Sequence, residues 1–94
     1  MARTLTLSVL TPEGVAITDE AVSIVAPGER GYLGMLFNHA PLVTTLQPGT
    51  LSWRQPAGAT RALAIGAGLL EVVKNRVTVL TSTLADPTPS TPRA

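Results

Sequence analysis

The residues best suited to chemistry in this sequence are one histidine and six carboxylates. His39 is the only histidine, so a metal site built from several histidines is excluded. A histidine works as a general base only beside a nucleophile and an orienting acid, and no serine stands in the glycine-flanked context of a nucleophile elbow. We therefore interpret His39 as a loop residue bonded to backbone or to a partner. A metal site that combines histidine and carboxylate ligands would need acids to converge on His39. The acids of the chain are Glu13, Asp19, Glu20, Glu29, Glu71 and Asp86.

Two glycine-rich stretches could be mistaken for phosphate-binding loops. Gly28 to Gly34 is spaced G-x-x-G-x-x-G, and Gly66-Ala67-Gly68 is shorter still. Neither has the dinucleotide or phosphate-loop spacing, and no convincing helix follows either one to face a phosphate with its N-terminus. The chain also has no cysteine, which excludes thiolate nucleophiles and thiolate metal ligands. The sequence thus predicts no catalytic, cofactor-binding or metal-binding residues, no small-molecule substrate, and a protein that is not an enzyme.

Composition limits the partners of this chain. Its 94 residues suffice for one domain, and its net charge is +1. The seven basic residues are scattered along the sequence, with only Lys74 and Arg76 close together, so we predict no basic patch and no nucleic-acid binding. The longest apolar run, Ala62 to Leu70, is about half of the ~20 residues that a membrane span needs. We predict no direct membrane insertion, and the first residues do not resemble a signal peptide.

Alternating apolar residues indicate the elements that position these groups. Leu5, Leu7 and Val9 alternate with small polar residues, as expected of a half-buried strand. Similar short runs recur every eight to twelve residues, separated by Pro/Gly turns, which predicts about nine strands in a sandwich or small barrel. One helix-like spacing, from Leu33 to Ala40, is interrupted by Gly34 and has little weight. We place the domain at residues 1–83 and a flexible, proline-rich tail at residues 84–94.

The order of these turn and strand segments resembles the N-terminal domain of the epsilon subunits of F-type ATP synthases. The similarity extends over about residues 3 to 83, and its strength lies in several weak segments that follow one another at the right spacing. The matching segments are Thr11-Pro12-Glu13-Gly14, Val25-Ala26-Pro27-Gly28, Gly31 to Leu42, Leu46 to Leu51, Gly66 to Val72 and Asn75 to Leu80.

The resemblance implies a fold and two partners. The fold would be all-β, a small two-sheet β-sandwich of about ten short strands. The subunit would bind the gamma subunit and the membrane c-ring, and so couple ion flow to ATP synthesis in the catalytic head. The loop of Glu29, Arg30, Gly31 and Tyr32 matches the part that meets the c-ring, while His39, Val43 and Thr44 match positions near gamma. The protein would lie peripherally on the cytoplasmic face of the bacterial plasma membrane.

The chain also departs from that family at its C-terminus. Most members continue as a pair of helices that regulates ATP hydrolysis, whereas this sequence turns into a Pro/Thr/Ser tail. The resemblance is therefore to a short form without the helical hairpin, which we expect not to inhibit ATP hydrolysis. The main alternative is a stand-alone β-sandwich adaptor for protein interactions, which co-purification with a gamma subunit would distinguish.

Overall fold

The computed structural model describes residues 3–85, and every regular element in that range is a β-strand. The predicted all-β class and the count of about ten strands are confirmed. The strands are β1 (Leu5–Thr11), β2 (Gly14–Ala21), β3 (Ser23–Gly28), β4 (Gly31–Leu36), β5 (Leu42–Leu46), β6 (Gly49–Arg54), β7 (Thr60–Ile65), β8 (Gly68–Val73), β9 (Arg76–Thr81) and β10 (Leu84–Ala85).

The alternating pattern determines which face of each strand is buried. Leu5, Leu7 and Val9 of β1 are fully buried, whereas the residues between them are half-exposed. Because successive side chains of a strand point to opposite faces, such alternation gives one apolar face and one polar face. The apolar faces meet in a single core formed by Leu5, Leu7, Val9, Ala21, Ile24, Ala26, Met35, Leu46, Leu51, Trp53, Leu63, Ile65, Leu70, Val72, Val77 and Val79.

The strands form a curled sheet whose two layers enclose that core. Hydrogen-bonded neighbours follow the order β10-β7-β6-β3-β5-β8-β9-β1-β2, and β4 pairs with β3. β3 passes between the layers, because its start pairs with β6 and its last residue, Gly28, pairs with Leu46 of β5. One layer is β4-β3-β6-β7-β10 and the other is β5-β8-β9-β1-β2. The predicted sandwich is therefore confirmed, with the two layers joined at β3 into one continuous sheet.

The turns lie at two opposite ends of the sandwich, which we name by the loop residues they carry. The Glu29 end holds the β1–β2, β3–β4, β5–β6, β7–β8 and β9–β10 connections. The His39 end holds the β2–β3, β4–β5, β6–β7 and β8–β9 connections. β4 runs from one end to the other, and its six residues span about 20 Å at the usual strand rise.

Local backbone chemistry explains two of the connections. Lys74 and Asn75 join β8 to β9 with φ of 50° and 64°, the left-handed conformation that a two-residue hairpin turn requires. At the start of β8, a Cβ on Gly68 would overlap the carbonyl group of Leu80, so only glycine fits there. Gly68 is thus a close-contact glycine. The helix-like spacing from Leu33 to Ala40 is instead strand β4 followed by a turn.

A last short strand follows directly after the predicted domain boundary at residue 83. Leu84 and Ala85, which we assigned to the tail, pair with Ile65 and Ala64 of β7 as the short strand β10. Leu84 also packs against the core, and this apolar contact stabilises the pairing of the segment with β7. A two-residue strand is too short to produce an alternating pattern in the sequence. The remainder of the predicted tail, residues 86–94, lies outside the described residues.

Candidate interaction surfaces

Val43, which we expected to face a partner, lies on an outer face of the sandwich. It is 68% exposed, the highest fraction among the large apolar side chains of residues 3–85. The neighbouring Thr44 is half-buried, and Leu46 is in the core. Since side chains alternate along β5, Val43 and Thr44 point to opposite faces of this strand. The structure therefore does not bring these two candidate residues together.

Val43 belongs to a group of apolar side chains on the outside of the β5-β8-β9-β1 layer. Leu80 pairs with Leu69 on one side and with Leu10 on the other. Leu69 and Leu80 are 44% and 45% exposed. Val43, Leu69 and Leu80 also line a groove of ≈ 200 Å³ together with Glu71. We call Leu10, Leu69, Leu80 and Val43 the apolar row.

The loop of Glu29 to Tyr32 is held to the sandwich by hydrogen bonds on both sides. The Glu29 amide donates to the Thr45 carbonyl at 3.1 Å, and the Glu29 carboxylate accepts a hydrogen bond from the Thr45 hydroxyl. The Gln47 side-chain amide donates to the carbonyl oxygens of Glu29 and Gly28 at 2.8 and 3.1 Å. These bonds fix the backbone of the loop while Arg30 remains exposed to solvent.

Tyr32 closes the same loop from the other side. Its phenol oxygen accepts a hydrogen bond from the Thr50 amide at 3.0 Å, although the residue as a whole is 60% exposed. Thr44 lines a cleft of ≈ 320 Å³ with Leu42 and the segment from Gly28 to Leu33. Thr44 is thus grouped with the loop predicted to meet the c-ring, and not with Val43.

His39 lies in the β4–β5 turn at the opposite end of the sandwich. Its amide donates to the Leu36 carbonyl at 3.0 Å, and its Nδ1 lies 2.6 Å from the Ala40 carbonyl oxygen. Because a carbonyl only accepts, this contact places the proton on Nδ1. His39 is thus a loop residue bonded to backbone, which is one of the two alternatives that the sequence indicated. His39 shares no face with the loop of Glu29 to Tyr32, since the two lie at opposite ends of β4.

A pair of asparagines, which the sequence analysis missed, anchors the turn that carries His39. The Asn38 amide donates to Oδ1 of Asn75 at 2.6 Å, and Nδ2 of Asn75 donates to Oδ1 of Asn38 at 3.3 Å. Both residues have positive φ, of 67° and 64°. Asn75 could be recognised in the sequence as a turn residue, but its pairing with Asn38 requires the order of the strands.

A second unpredicted network surrounds Asp19. Its Oδ2 accepts hydrogen bonds from Nε1 of Trp53 and Nε2 of Gln55, both at 2.8 Å. The Trp53 hydrogen bond is the largest influence lowering the pKa of Asp19; the Gln55 side chain, the Glu20 amide and the charge of Arg61 also lower it, against a smaller opposing effect of burial. Trp53 is only 2% exposed and belongs to the core.

The basic residues, which are scattered along the sequence, are grouped toward one end of the fold. Strand order brings five of the seven lysines and arginines to the His39 end. Each of the five lies at or beside the end of a strand there: β1, β7 and β9 begin at this end, and β6 and β8 end at it. All five are exposed. The sequence hides this grouping because the residues are far apart along the chain. They are Arg3, Arg54, Arg61, Lys74 and Arg76.

Clusters of metal-ligating side chains and membrane-spanning helices are both absent from the described residues. Within residues 3–85, no three histidine, aspartate or glutamate side chains come together as a metal site. The same part of the chain contains no helix long and apolar enough to cross a membrane. What the arrangement offers is two surfaces for protein contact: the outer face with the apolar row, and the fixed loop at the Glu29 end.

Comparison with known proteins identifies the family of this chain. The family described as "ATP synthase, Delta/Epsilon chain, beta-sandwich domain" matches residues 4–87. The chain belongs to this family. The ATP synthase epsilon chain of Moorella thermoacetica is 43% identical over 79 residues, which cover 84% of this chain and 59% of that protein. The epsilon chain of Desulforamulus reducens is 45% identical over 83 residues, or 88% of this chain and 62% of that one. The chain thus spans about three fifths of these relatives.

Solved structures show the same fold at lower sequence identity. A chain of the Euglena gracilis mitochondrial ATP synthase, in a structure of OSCP, F1 and the c-ring, superposes with a TM-score of 0.84 at 19% identity. The match covers 92% of this family member and 55% of that chain. A chain from the central stalk and c-ring of the Tetrahymena thermophila mitochondrial ATP synthase gives a TM-score of 0.73 at 17% identity, covering 87% and 66%.

Proposed function

We propose that this chain is a non-catalytic rotor subunit of an F-type ATP synthase, positioned between gamma and the c-ring. Its outer face with Val43 binds gamma, and its loop of Glu29 to Tyr32 rests on the c-ring. In this position it transmits rotation between the ion-driven ring and the catalytic head. The observation that carries the proposal is the exposure of Val43 beside Leu69 and Leu80 in a member of the delta/epsilon family. The subunit then lies peripherally on the cytoplasmic face of the bacterial plasma membrane.

The apolar row supports gamma binding through its chemistry. A domain of this size leaves part of its apolar surface exposed, and a contiguous exposed patch is typical of a protein contact. Val43, Leu69 and Leu80 offer side chains that a partner can bury at about 25 cal/mol per Å². Thr44 adds to this contact only through its backbone, since its side chain points to the other side of β5.

The loop at the Glu29 end supports c-ring contact through its rigidity. Hydrogen bonds from Thr45, Gln47 and Thr50 hold its backbone and the Tyr32 ring before any partner arrives. A preorganised loop loses little conformational entropy on binding. The exposed guanidinium of Arg30 can donate hydrogen bonds to a polar partner surface, such as the polar loops of the c-ring.

Substitution of Val43 tests the gamma contact. Val43→Asp places a charge in the apolar contact, which we expect to weaken binding of the purified gamma subunit by more than about tenfold. Because Val43 is exposed in the isolated domain, its melting temperature should change by less than about 4 °C. Calorimetric titration and thermal melting measure the two effects.

Val25→Asp is the matched control. Val25 is a 39% exposed valine on the outside of the other layer, so its substitution should leave gamma affinity unchanged. Equal losses of affinity in the two variants would show that the contact is not specific to the apolar row. If neither the unsubstituted chain nor either variant binds gamma, the proposed function is wrong and a stand-alone adaptor is the better description.

A further inference from the structure

The cations at the His39 end outnumber the acids beside them. Three acids lie at or near this end, Asp19, Glu20 and Glu71. Asp19 accepts from Trp53 and Gln55 and is also influenced by the charge of Arg61, as described above. Glu20 accepts hydrogen bonds from the hydroxyls of Thr4 and Thr6, at 2.8 and 2.9 Å. Five cations against three acids leave this end with an excess of positive charge, although the whole chain carries only +1.

Three of the cations surround the turn that carries His39. Lys74 belongs to the β8–β9 turn, which the two asparagines bind to the β4–β5 turn. Arg76 follows directly and pairs with Thr6 in the neighbouring strand. The guanidinium of Arg3 lies 6.0 Å from the centre of the Phe37 ring, within the range of a cation–π contact. Arg3, Lys74 and Arg76 thus lie around the same two turns, and we call them the basic rim.

The basic rim adjoins the outer face that carries the apolar row. Arg76 pairs with Val73 at the end of β8, and Val73 is 37% exposed. Glu71 precedes Val73 by two residues on β8 and lies on this outer face between the rim and the apolar row. An apolar centre with charges at its edge is the usual construction of a protein interface, and the charges act on association rate and orientation.

We infer that the partner segment meeting the His39 end is acidic, and that the basic rim steers this segment onto the outer face. The inference rests on the proposed function, with gamma as the partner and an acidic stretch of its surface as the occupant. Three cations without an exposed group of aromatic rings make a poor surface for nucleic acid, which needs many phosphate contacts or stacking platforms. An acidic protein segment needs only complementary charge over a few residues.

The kinetics of gamma binding test the inference. The double variant Lys74→Gln/Arg76→Gln removes two charges from the rim, and Lys74→Arg/Arg76→Lys keeps both as the matched control. Association and dissociation rates of the purified gamma subunit are measured between about 20 and 300 mM NaCl, where the screening length shortens several-fold. We expect the neutral variant to associate about fivefold more slowly at low salt, with a flatter salt dependence and an unchanged dissociation rate. The control should behave as the unsubstituted chain.

The possible outcomes separate this inference from the proposed function. If the unsubstituted chain binds gamma and the neutral variant shows the same association rates at every salt concentration, the inference is wrong and the proposed function stands. If the unsubstituted chain does not bind gamma at all, both fall. A DNA duplex and phosphatidylglycerol vesicles are titrated in parallel. Binding to either one that the neutral variant loses, with gamma kinetics unchanged, would reassign the rim to nucleic acid or to lipid and overturn the inference.

Discussion

At the scale of single residues, Asp19 shows how a charged group can serve as part of the fold. Its carboxylate receives the indole N–H of Trp53, a donor that has little access to water because Trp53 is almost fully buried. A buried donor without a partner costs about 1–3 kcal/mol. Asp19 therefore connects edge strand β2 to the opposite layer of the sandwich, and the same hydrogen bond holds its pKa below the usual value.

The lowered pKa predicts a specific dependence of stability on pH. Since the folded-state pKa lies below the unfolded value of about 3.9, the stabilisation is complete above the unfolded pKa and is lost as pH falls through the folded one. Asp19→Asn should remove this contribution, so its melting temperature should fall less steeply than that of the unsubstituted chain between about pH 5 and pH 2. Thermal melting across that range measures both slopes, with Glu13→Gln as an exposed control. Parallel curves for Asp19→Asn and the unsubstituted chain would contradict the prediction.

At the scale of elements, the two turns of the His39 end work as one unit. The β8–β9 turn supplies the side chain of Asn75, which accepts the amide of Asn38 in the β4–β5 turn. The carbonyl of Asn75 also accepts the Thr6 amide at 2.9 Å, which ties the start of β1 to the same place. Turns usually move more than the strands they connect. These contacts restrain the turn that presents His39.

Asn75→Gly tests this restraint because glycine tolerates the positive φ of the turn but has no side chain. We expect the Asn38 amide to exchange with solvent at least about tenfold faster in this variant, since its acceptor is lost. Hydrogen exchange measured by NMR follows that amide directly. Asn75→Asp, which keeps an acceptor at the same place, should preserve much of the protection. Unchanged protection in the glycine variant would show that the turn is held by other contacts.

The elements themselves were predictable where the pattern is local. The strand predicted at Leu5, Leu7 and Val9 is β1, because alternating side chains are visible in the sequence. β10 was not predicted, since a strand of two residues is too short to show an alternation of apolar and polar side chains. The division of Val43 and Thr44 between two faces follows from the same alternation and was overlooked when the two were assigned to one partner by resemblance.

The candidate surfaces were less predictable because they depend on strand order. Arg3 and Arg76 come together through the parallel pairing of β1 with β9, which no local pattern of residues indicates. The pairing of Asn38 with Asn75 has the same origin. The flexible tail and the absence of inhibition of ATP hydrolysis concern residues 86–94 and stay predictions.

At the scale of the whole molecule, the length of β4 separates the loop of Glu29 to Tyr32 from the turn that carries His39. The loop of Glu29 to Tyr32 precedes and begins β4, and the turn that carries His39 follows it, so the two lie about 20 Å apart on a rigid element. A partner that contacts one end of the sandwich leaves the other end accessible to a second partner. Cross-linking labels placed at the two ends should therefore attach to different partners.

Single cysteines test this separation in the assembled ATP synthase, because the natural chain has none and each label is unique. A photoactivatable maleimide on Arg30→Cys should cross-link to the c-ring, and the same reagent on His39→Cys should cross-link to gamma. Val25→Cys, on the outside of the other layer, serves as the control and should give neither product in comparable yield. Mass spectrometry of the cross-linked peptides identifies the partner in each case. If Arg30→Cys labelled gamma, or His39→Cys labelled the c-ring, the orientation proposed for the sandwich would be reversed, since β4 fixes the two positions at opposite ends.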